Sequence, residues 1–355
     1  MTEQDRSRLR ALGLQIGRYQ PGPLNAITDV VGVQVGHVTC SEGSRIRTGA
    51  TAIIPHSGNL FQDKVPAALA VFNGFGKFAG STQIAELGEI ETPVLLTNTL
   101  AVGRGIEAIN RYTLAQPGNE RVVSLNAVVG ETNDSRLNDI RGERPSVDEM
   151  LTALSAAKAG PVAEGAVGAG TGTVAFGMKG GIGTSSRSVQ VAGETYTLGV
   201  LVQSNYGGTL TIGGRPYRPD GEGDGTEKHD NDGSIVMVVA TDAPLCARNL
   251  KRLAERCFGG LARTGAALSN GSGDYALAFS TAEQVRRTPE RRKAIADFPT
   301  LSNDAISPLF EAVIEATEEA ILNSLTMAVT TEGYNAGTGR SATVKAIRLD
   351  SIRPL

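Results

Sequence analysis

The sequence changes character most sharply at residue 234. Residues 214–233 carry six acidic side chains, five glycines and two prolines without apolar periodicity, which is typical of an exposed loop. Directly after it, residues 234–242 form a continuous β-type run that begins with a serine. A loop of this length inside a compact chain is uncommon and needs a reason. We therefore predict that residues 214–233 are a flexible linker and that the junction of Gly233 and Ser234 is functional.

Strand-like and helix-like segments alternate on both sides of this linker. Glycine makes up 44 of the 355 residues, about twice its usual share, and lies between β-rich segments, which favours many short strands joined by tight turns. The predicted strands are 26–39, 50–55, 66–74, 93–97, 122–129, 195–203, 234–242 and 275–281. The predicted helices are 99–112, a segment from Ser146 to about 160, one that begins at Pro244, and one from Ser307–Pro308 to Leu325.

Two of these helices carry further signals. Ser146 with Glu149 three residues on has the form of a capping box. The last helix has an amphipathic pattern, and its acidic residues are predicted to face outwards: Glu311, Glu315, Glu318 and Glu319.

Residues 165–183 contain eight glycines in nineteen residues, which invites comparison with a phosphate-binding loop. A Walker loop places Ser or Thr after its lysine, whereas Lys179 is followed by Gly180. The spacing of a dinucleotide-binding loop is missing too. The glycines are better explained by close approach of backbone segments.

Composition excludes several classes of function. A formal net charge of −3 with scattered Lys and Arg argues against nucleic-acid binding. No apolar run approaches the length of a membrane span, and the charged first residues lack a signal-peptide pattern, so we expect a cytoplasmic protein with no membrane partner. Cys40, Cys246 and Cys257 are expected to be buried thiols. No metal or other cofactor is indicated, since neither zinc-ligand nor calcium-loop spacing is present.

The Gly233–Ser234 junction suits a precursor that cleaves itself. An acyl shift from nitrogen to the Ser234 oxygen, followed by hydrolysis, would leave Ser234 with a hydroxyl and a free α-amine. An α-amine has a pKa near 7.7–8.0, so it can serve as general base at neutral pH. The residues alone also allow an ordinary serine at the start of a strand after a loop.

Several segments together resemble the family of the L-aminopeptidase/D-amidase-esterase DmpA and the β-peptidyl aminopeptidases. They occur in family order over nearly the whole chain: PGPLNAITDVVGVQVGH near the start, RTGATAIIP (47–55), VVGETNDSRLNDI (128–140), GAGTGTVAFGMKGGIGTSSR (168–187), LVQSNYG (201–207), DGSIVMVVATDAPL (232–245) and GSGDYALAFST (271–281). The resemblance implies a single-domain α/β fold, a four-layer α-β-β-α sandwich, cleaved into chains 1–233 and 234–355. It also implies a homo-oligomer, a tetramer of such αβ units.

The resemblance also implies site residues. Ser234 matches the nucleophile, and Ser272 and Asp274 match the pair that orients it and its amine. Asn205 matches the amide that stabilises the developing oxyanion. Glu131 matches the carboxylate that receives the free ammonium of a small peptide or amino-acid amide substrate. Without the resemblance, Ser272, Asp274 and Asn205 would read as turn residues and Glu131 as a solvated acid.

One position departs from the family pattern. A tyrosine often stands two residues after the glutamate, and here that position holds Asn133. The missing phenol bears on whether the D-amidase and esterase activities of the family, and its preference for substrates of one chirality, carry over to this chain. The nucleophile is unaffected.

Other functions fit the sequence less well. With His37, His56 and His229 as its three histidines, the chain is a poor candidate for a Ser/His/Asp triad. Ornithine acetyltransferases resemble this family in fold and self-cleavage but use a threonine, which the serine at 234 argues against. A non-processing amino-acid-binding homologue would keep the bond between Gly233 and Ser234 intact.

Overall fold

Two β-sheets lie face to face in the centre of the protein. The computed structural model describes residues 6–218 and 233–352. The strands are β1 (Gln34–Glu42), β2 (Ile46–Ile54), β3 (Val65–Gly74), β4 (Phe78–Ala79), β5 (Glu89–Ile90), β6 (Val94–Asn98), β7 (Val128–Thr132), β8 (Val174–Ala175), β9 (Met178–Lys179), β10 (Gly181–Val191), β11 (Glu194–Asn205), β12 (Thr211–Ile212), β13 (Arg215–Pro216), β14 (Ser234–Thr241), β15 (Gly273–Ser280), β16 (Thr331–Asn335) and β17 (Arg340–Val344). The first sheet has the order β1-β2-β6-β7-β4 and the second has the order β10-β11-β14-β15-β3-β5.

Strand β14 shows why the sheets stack. All of its residues are buried. Its apolar side chains at odd positions from Ile235 to Val239 face one core, and those at even positions from Val236 to Ala240 face another. Because successive side chains of a strand point to opposite faces, such a strand needs cover on both sides. The second sheet is therefore covered by the first sheet on one face and by helices on the other.

The helices complete the outer layers. They are α1 (Ser81–Leu87), α2 (Val102–Leu114), α3 (Val147–Ser155), α4 (Ala247–Arg263) and α5 (Ser307–Thr326). Helices α4 and α5 pack on the second sheet, whereas α2 and α3 pack on the first. The predicted capping box at the start of α3 is present, with Ser146 and Glu149 each bonded to the backbone of the other. The layer order is α-β-β-α, and the prediction of a four-layer sandwich is confirmed.

The acidic face of α5 is not exposed as predicted. Glu315, Glu318 and Glu319 are at most 4% exposed, and only Glu311 reaches solvent. The reason is a buried cation from β10: the Arg187 guanidinium donates hydrogen bonds to Glu319 at 2.8 Å and to Glu315 at 3.3 Å. The N-terminal segment adds backbone and side-chain donors to the same carboxylates. Amphipathic spacing could not reveal this second layer of packing.

Removing one partner of this buried pair should cost far more than removing an exposed acid of the same helix. Glu319→Ala leaves Arg187 buried without its closest carboxylate, and we expect a loss of about 3–5 kcal/mol in the free energy of unfolding. Glu311→Ala is the matched control, because its ion pair with Arg18 is exposed and screened by solvent, so its loss should change the free energy of unfolding little. Denaturant unfolding checks both variants. Equal midpoints for the two would contradict the buried-pair account.

Other local predictions also need correction. The strand predicted for 122–129 begins only at Val128, and Val123 is 98% exposed, so this apolar run does not enter a sheet along its whole length. The helix predicted from Pro244 begins at Ala247, directly after Cys246. Cys40 and Cys257 are buried thiols as predicted, whereas Cys246 is partly exposed, and all three are free.

The predicted linker is only partly covered by the description. Its first residues belong to a short hairpin in which Arg215 and Pro216 pair with β12. Residues 219–232, the greater part of the linker, lie outside the described residues. Within residues 6–218 and 233–352, no helix is both long and apolar enough to cross a membrane.

Candidate active site

Ser234 stands at the end of a row of paired strands. It is the first residue of β14, opposite Asn205, the last residue of β11, and beside Gly273, the first residue of β15. Ser272 precedes Gly273 directly, and Asp274 follows it. Ser234 and Asn205 are each only 6% exposed. The register of three neighbouring strands therefore brings together the four residues predicted to be catalytic.

Ser272 and Asp274 form a hydrogen-bonded pair next to Ser234. The Ser272 hydroxyl donates to Asp274 Oδ1 at 2.6 Å. Asn73 Nδ2, from the facing residue of β3, donates to Asp274 Oδ2 at 2.8 Å. Burial raises the pKa of Asp274 above its ordinary value, and the hydrogen bonds from Ser272 and Asn73 oppose that rise. Both oxygens of this buried carboxylate are thus held in a fixed direction.

Sequence reasoning missed Asn73. The segment Phe72-Asn73-Gly74 has the composition of a turn. Asn73 contacts Asp274, which is 201 positions further along the chain. It also donates to the carbonyl oxygens of Leu268 and Ser269, each at 3.2 Å. Only the pairing of β3 with β15 reveals its role.

The Asn205 side chain is held in one orientation. Its Oδ1 accepts a hydrogen bond from the backbone N–H of Val174 at 2.9 Å. Val174 belongs to the glycine-rich segment that the sequence assigned to close backbone contact. With Oδ1 engaged there, the donor end of the amide, Nδ2, is directed away from Val174.

Gly233 occupies a position that no side chain could fill. A Cβ atom there would lie 2.3 Å from the carbonyl oxygen of Asn205 and 2.5 Å from the Cα of Tyr206. The Gly233 carbonyl oxygen accepts a hydrogen bond from the backbone N–H of Gly273 at 3.1 Å. The peptide bond before Ser234 is therefore packed against β11 on one side and hydrogen-bonded to the start of β15 on the other.

Glu131 lies across the site at the end of β7. It is 3% exposed, and its Oε1 accepts a hydrogen bond from the backbone N–H of Lys77 at 3.0 Å. Its Oε2 accepts one from the hydroxyl of Thr99, and the Lys77 ammonium lies 3.7 Å from Oε1. Glu131, predicted from the resemblance to bind the substrate ammonium, is a buried carboxylate next to a half-exposed cation.

A buried phenol, that of Tyr275, lies under the influence of Glu131 and Asp274. Tyr275 follows Asp274 in β15 and is almost fully buried. Burial raises the pKa of its phenol to about 12, and the Glu131 and Asp274 carboxylates both add to that rise. The Tyr275 phenol therefore stays protonated at neutral pH beside these two carboxylates.

A cavity of about 540 Å³ joins these groups. Its wall includes five of the predicted residues, namely Glu131, Asn133, Asn205, Gly233 and Ser234. Within the described chain, Ser272 and Asp274 do not line it and lie buried beside Ser234. The wall also includes residues that the sequence did not single out: Phe75, Lys77, Thr99, Ser135, Arg136, Val174 and Asn335.

Asn133 is exposed at this cavity. Its Oδ1 accepts a hydrogen bond from the backbone N–H of Ser135 at 3.0 Å, which holds the side chain against its own loop. The wall at this point presents a short amide instead of a phenol.

The histidines have other surroundings. His37 Nδ1 lies 2.9 Å from the Thr51 hydroxyl, and burial lowers the pKa of His37 to about 4. His56 Nε2 lies 2.8 Å from the Asp63 carbonyl oxygen. Neither lines the cavity, and His229 lies outside the described residues. In residues 6–218 and 233–352 no group of three or more His, Cys, Asp or Glu side chains is arranged to hold a metal ion.

The α-β-β-α sandwich places the chain in the fold class of the N-terminal-nucleophile (Ntn) hydrolases. Within that class, the chain belongs to peptidase family S58, whose model matches residues 25–338. It is therefore a peptidase, and the predicted family is confirmed.

Individual relatives agree with this assignment. The β-peptidyl aminopeptidase BapA of Sphingosinicella microcystinivorans is 40% identical over 357 residues, covering 93% of this chain and 88% of that protein. A solved Burkholderia sp. β-aminopeptidase is 39% identical with a TM-score of 0.87, covering 97% of each chain. The L-aminopeptidase D-Ala-esterase/amidase of Ochrobactrum anthropi is 36% identical with a TM-score of 0.88, covering 97% of this chain and 96% of that one.

Proposed function

We propose that this peptidase cuts its own backbone between Gly233 and Ser234 and then hydrolyses the N-terminal amide bond of short peptides, β-peptides or amino-acid amides through an acyl-Ser234 intermediate. The observation that carries the proposal is the single cavity that contains Ser234, Asn205 and Glu131. A nucleophile, a neutral hydrogen-bond donor and an acceptor for a substrate ammonium thus share one space.

Self-cleavage begins when the Ser234 hydroxyl adds to the carbonyl carbon of Gly233. The C–N bond then breaks, the nitrogen takes up a proton, and an ester joins Gly233 to Ser234 Oγ. Water hydrolyses this ester, which leaves a carboxylate on Gly233 and returns the hydroxyl to Ser234, whose α-amine became free when the C–N bond broke. The hydrogen bond from Gly273 N–H to the Gly233 carbonyl oxygen supports this step, because a donor at that oxygen stabilises the negative charge that develops there.

In peptide hydrolysis the freed α-amine accepts the proton of the Ser234 hydroxyl as that hydroxyl attacks the substrate carbonyl. The neighbouring Ser272–Asp274 pair orients the hydroxyl and the amine, and Asn73 holds Asp274 in place. The Nδ2 group of Asn205 donates to the oxyanion. The α-ammonium returns this proton to the amine product, which leaves as the C–N bond breaks, and water then releases the acyl group from Ser234 as a carboxylic acid.

Glu131 accounts for the preference for a free amino terminus. Its carboxylate is buried and already accepts two hydrogen bonds, from the backbone of Lys77 and from Thr99. The ammonium of Lys77 lies 3.7 Å away and is half-exposed, so it can move aside for the ammonium of a substrate. A blocked amine could not replace the positive charge that this carboxylate requires.

Asn133 tunes which substrates fit. It lies at the cavity wall two residues after Glu131, where an amide leaves more room than the phenol common in the family. We propose that this position changes the preference among L-, D- and β-amino-acid amides without changing the nucleophile.

The protein is further proposed to be a cytoplasmic homo-oligomer, a tetramer of αβ units. Three apolar side chains near the end of β3, Val71, Phe72 and Phe75, are more than half exposed, which supports an interface on this side. Three free thiols, one of them partly exposed, suit a reducing compartment.

Self-cleavage is tested by intact mass under denaturing conditions. Wild-type protein is expected to separate into polypeptides 1–233 and 234–355, whereas Ser234→Ala stays whole because the attacking hydroxyl is gone. Ser41→Ala, which removes an exposed serine of β1, is the matched control and should be cleaved like wild type. An unbroken wild-type chain after long incubation would refute self-cleavage.

Glu131→Gln should weaken binding of substrates with a free amine. The variant keeps the shape but removes the charge, and we expect kcat/KM to fall at least about thirtyfold, mainly through KM. The same substrates with an acetylated amine should be poor for wild type and little affected by the substitution. Glu86→Gln, at an exposed glutamate of α1, is the control. Equal losses on free and acetylated substrates would show that Glu131 does not receive the ammonium.

A further inference from the structure

Lys179 has no part in the mechanism above, although it lies in the glycine-rich segment 165–183 that also contains Val174. Its side chain is completely buried. The Nζ atom donates to the carbonyl oxygens of Gly170 at 2.8 Å, Thr173 at 2.9 Å and Gly180 at 2.9 Å. An ammonium group has three N–H donors, so all of them are used on backbone oxygens of one short segment.

One of those oxygens belongs to the peptide group that holds Asn205. The Thr173 carbonyl and the Val174 N–H are the two ends of the same planar peptide unit. Lys179 binds the oxygen end, and the nitrogen end donates to Asn205 Oδ1 at 2.9 Å. A continuous chain of hydrogen bonds therefore runs from a buried cation to the side-chain amide of Asn205.

This chain of hydrogen bonds has two physical consequences. It fixes the position of the Val174 N–H, so Asn205 keeps its oxygen towards Val174 and its Nδ2 free to point elsewhere. It also polarises the bonds in one direction, since each donor along the chain draws electron density towards Lys179. An Asn205 amide whose oxygen is engaged in this way is a stronger donor through Nδ2.

We propose that Lys179 is a positioning residue for the oxyanion-stabilising amide of Asn205, acting through the Thr173–Val174 peptide group. This inference rests on the proposed function of Asn205. It assigns a role to a residue that touches neither the substrate nor the reacting atoms.

The surroundings support a charged Lys179. Burial lowers its pKa to about 7, but the buried Asp134 carboxylate opposes that effect. Burial also raises the pKa of the Asp134 carboxyl, to about 7, and hydrogen bonds and the Lys179 charge oppose that rise. A neutral amine would have only two N–H donors for three carbonyl oxygens.

The test uses the processed enzyme, with rates expressed per freed Ser234 amine counted by N-terminal sequencing. Lys179→Met removes the donors but keeps an unbranched side chain. We expect kcat to fall about 10–100-fold and KM to change less than about threefold, since Asn205 is no longer held in its orientation but the contacts to Glu131 remain.

Lys64→Met is the matched control. Lys64 is also a buried lysine and is paired with Glu91 at 2.5 Å, but it precedes β3 at the end of that strand remote from Asn73. Its loss should reduce stability and leave kcat unchanged. An equal fall in kcat for both variants would reduce the effect of Lys179 to stability alone and overturn the proposal.

A double-mutant cycle with Asn205→Ala decides whether the two residues act together. In the Asn205→Ala background, Lys179→Met should cost less than about twofold in kcat. Losses that multiply would overturn the positioning role. If Asn205→Ala alone keeps wild-type kcat, the proposed oxyanion role fails instead, so the two failures are distinct.

A second variant covers the case in which Lys179→Met does not fold. Lys179→Arg keeps the charge, but its planar fork cannot direct one nitrogen at three convergent carbonyl oxygens. It should show the same fall in kcat with KM retained. Wild-type kcat in Lys179→Arg would show that a buried charge suffices and that this hydrogen-bond chain does not position Asn205.

Discussion

The register of hydrogen bonds across β11, β14 and β15 sets Asn205, Ser234 and Gly273 side by side, and the site depends on that alignment. A shift of one residue in any of these strands would turn its side chains to the opposite face of the sheet. Because β14 is apolar on both faces, burial alone does not fix its register, and the close fit of Gly233 against Asn205 and Tyr206 does. The packing at the start of the strand therefore places the nucleophile.

Buried charged side chains join the layers around this sheet. Two of them, Arg187 and Lys179, each donate several hydrogen bonds. Arg187 is surrounded by the carboxylates of α5, while Lys179 binds three backbone oxygens. An unpaired charge at these depths would cost several kcal/mol, so these groups fix the geometry of the segments they join. Glycine makes the close contacts possible, as at Gly233, where even a methyl group would collide with β11.

Much of the site could be predicted from the sequence. The loop-to-strand transition pointed to Ser234, and matching motifs pointed to Asn205, Glu131 and the Ser272–Asp274 pair; the structure brings Ser234, Asn205 and Glu131 to one cavity, with the pair buried beside it. The alternation of strands and helices also agreed with the observed layers. These features can be predicted because they are local in the sequence or belong to contiguous motifs.

What the sequence could not provide depends on contacts between distant segments. Asn73 meets Asp274 only because β3 pairs with β15. The spacing of the acidic residues in α5 predicts a solvent-exposed face, but Arg187 and the N-terminal segment cover them in the structure. The motif around Lys179 suggests comparison with a phosphate-binding loop, and nothing in it indicates the three carbonyl oxygens that surround the ammonium. Spacing along one chain carries no information on such partners.

The central claim is that Ser234 forms the acyl-enzyme, and trapping that species tests it most directly. Wild-type enzyme is quenched in acid during turnover of a slowly deacylated amino-acid ester, digested, and examined by peptide mass spectrometry. The account predicts that the peptide beginning at Ser234 gains the mass of the acyl group and that no other serine does. An acyl group on a different residue, or turnover without any acylated peptide, would contradict it.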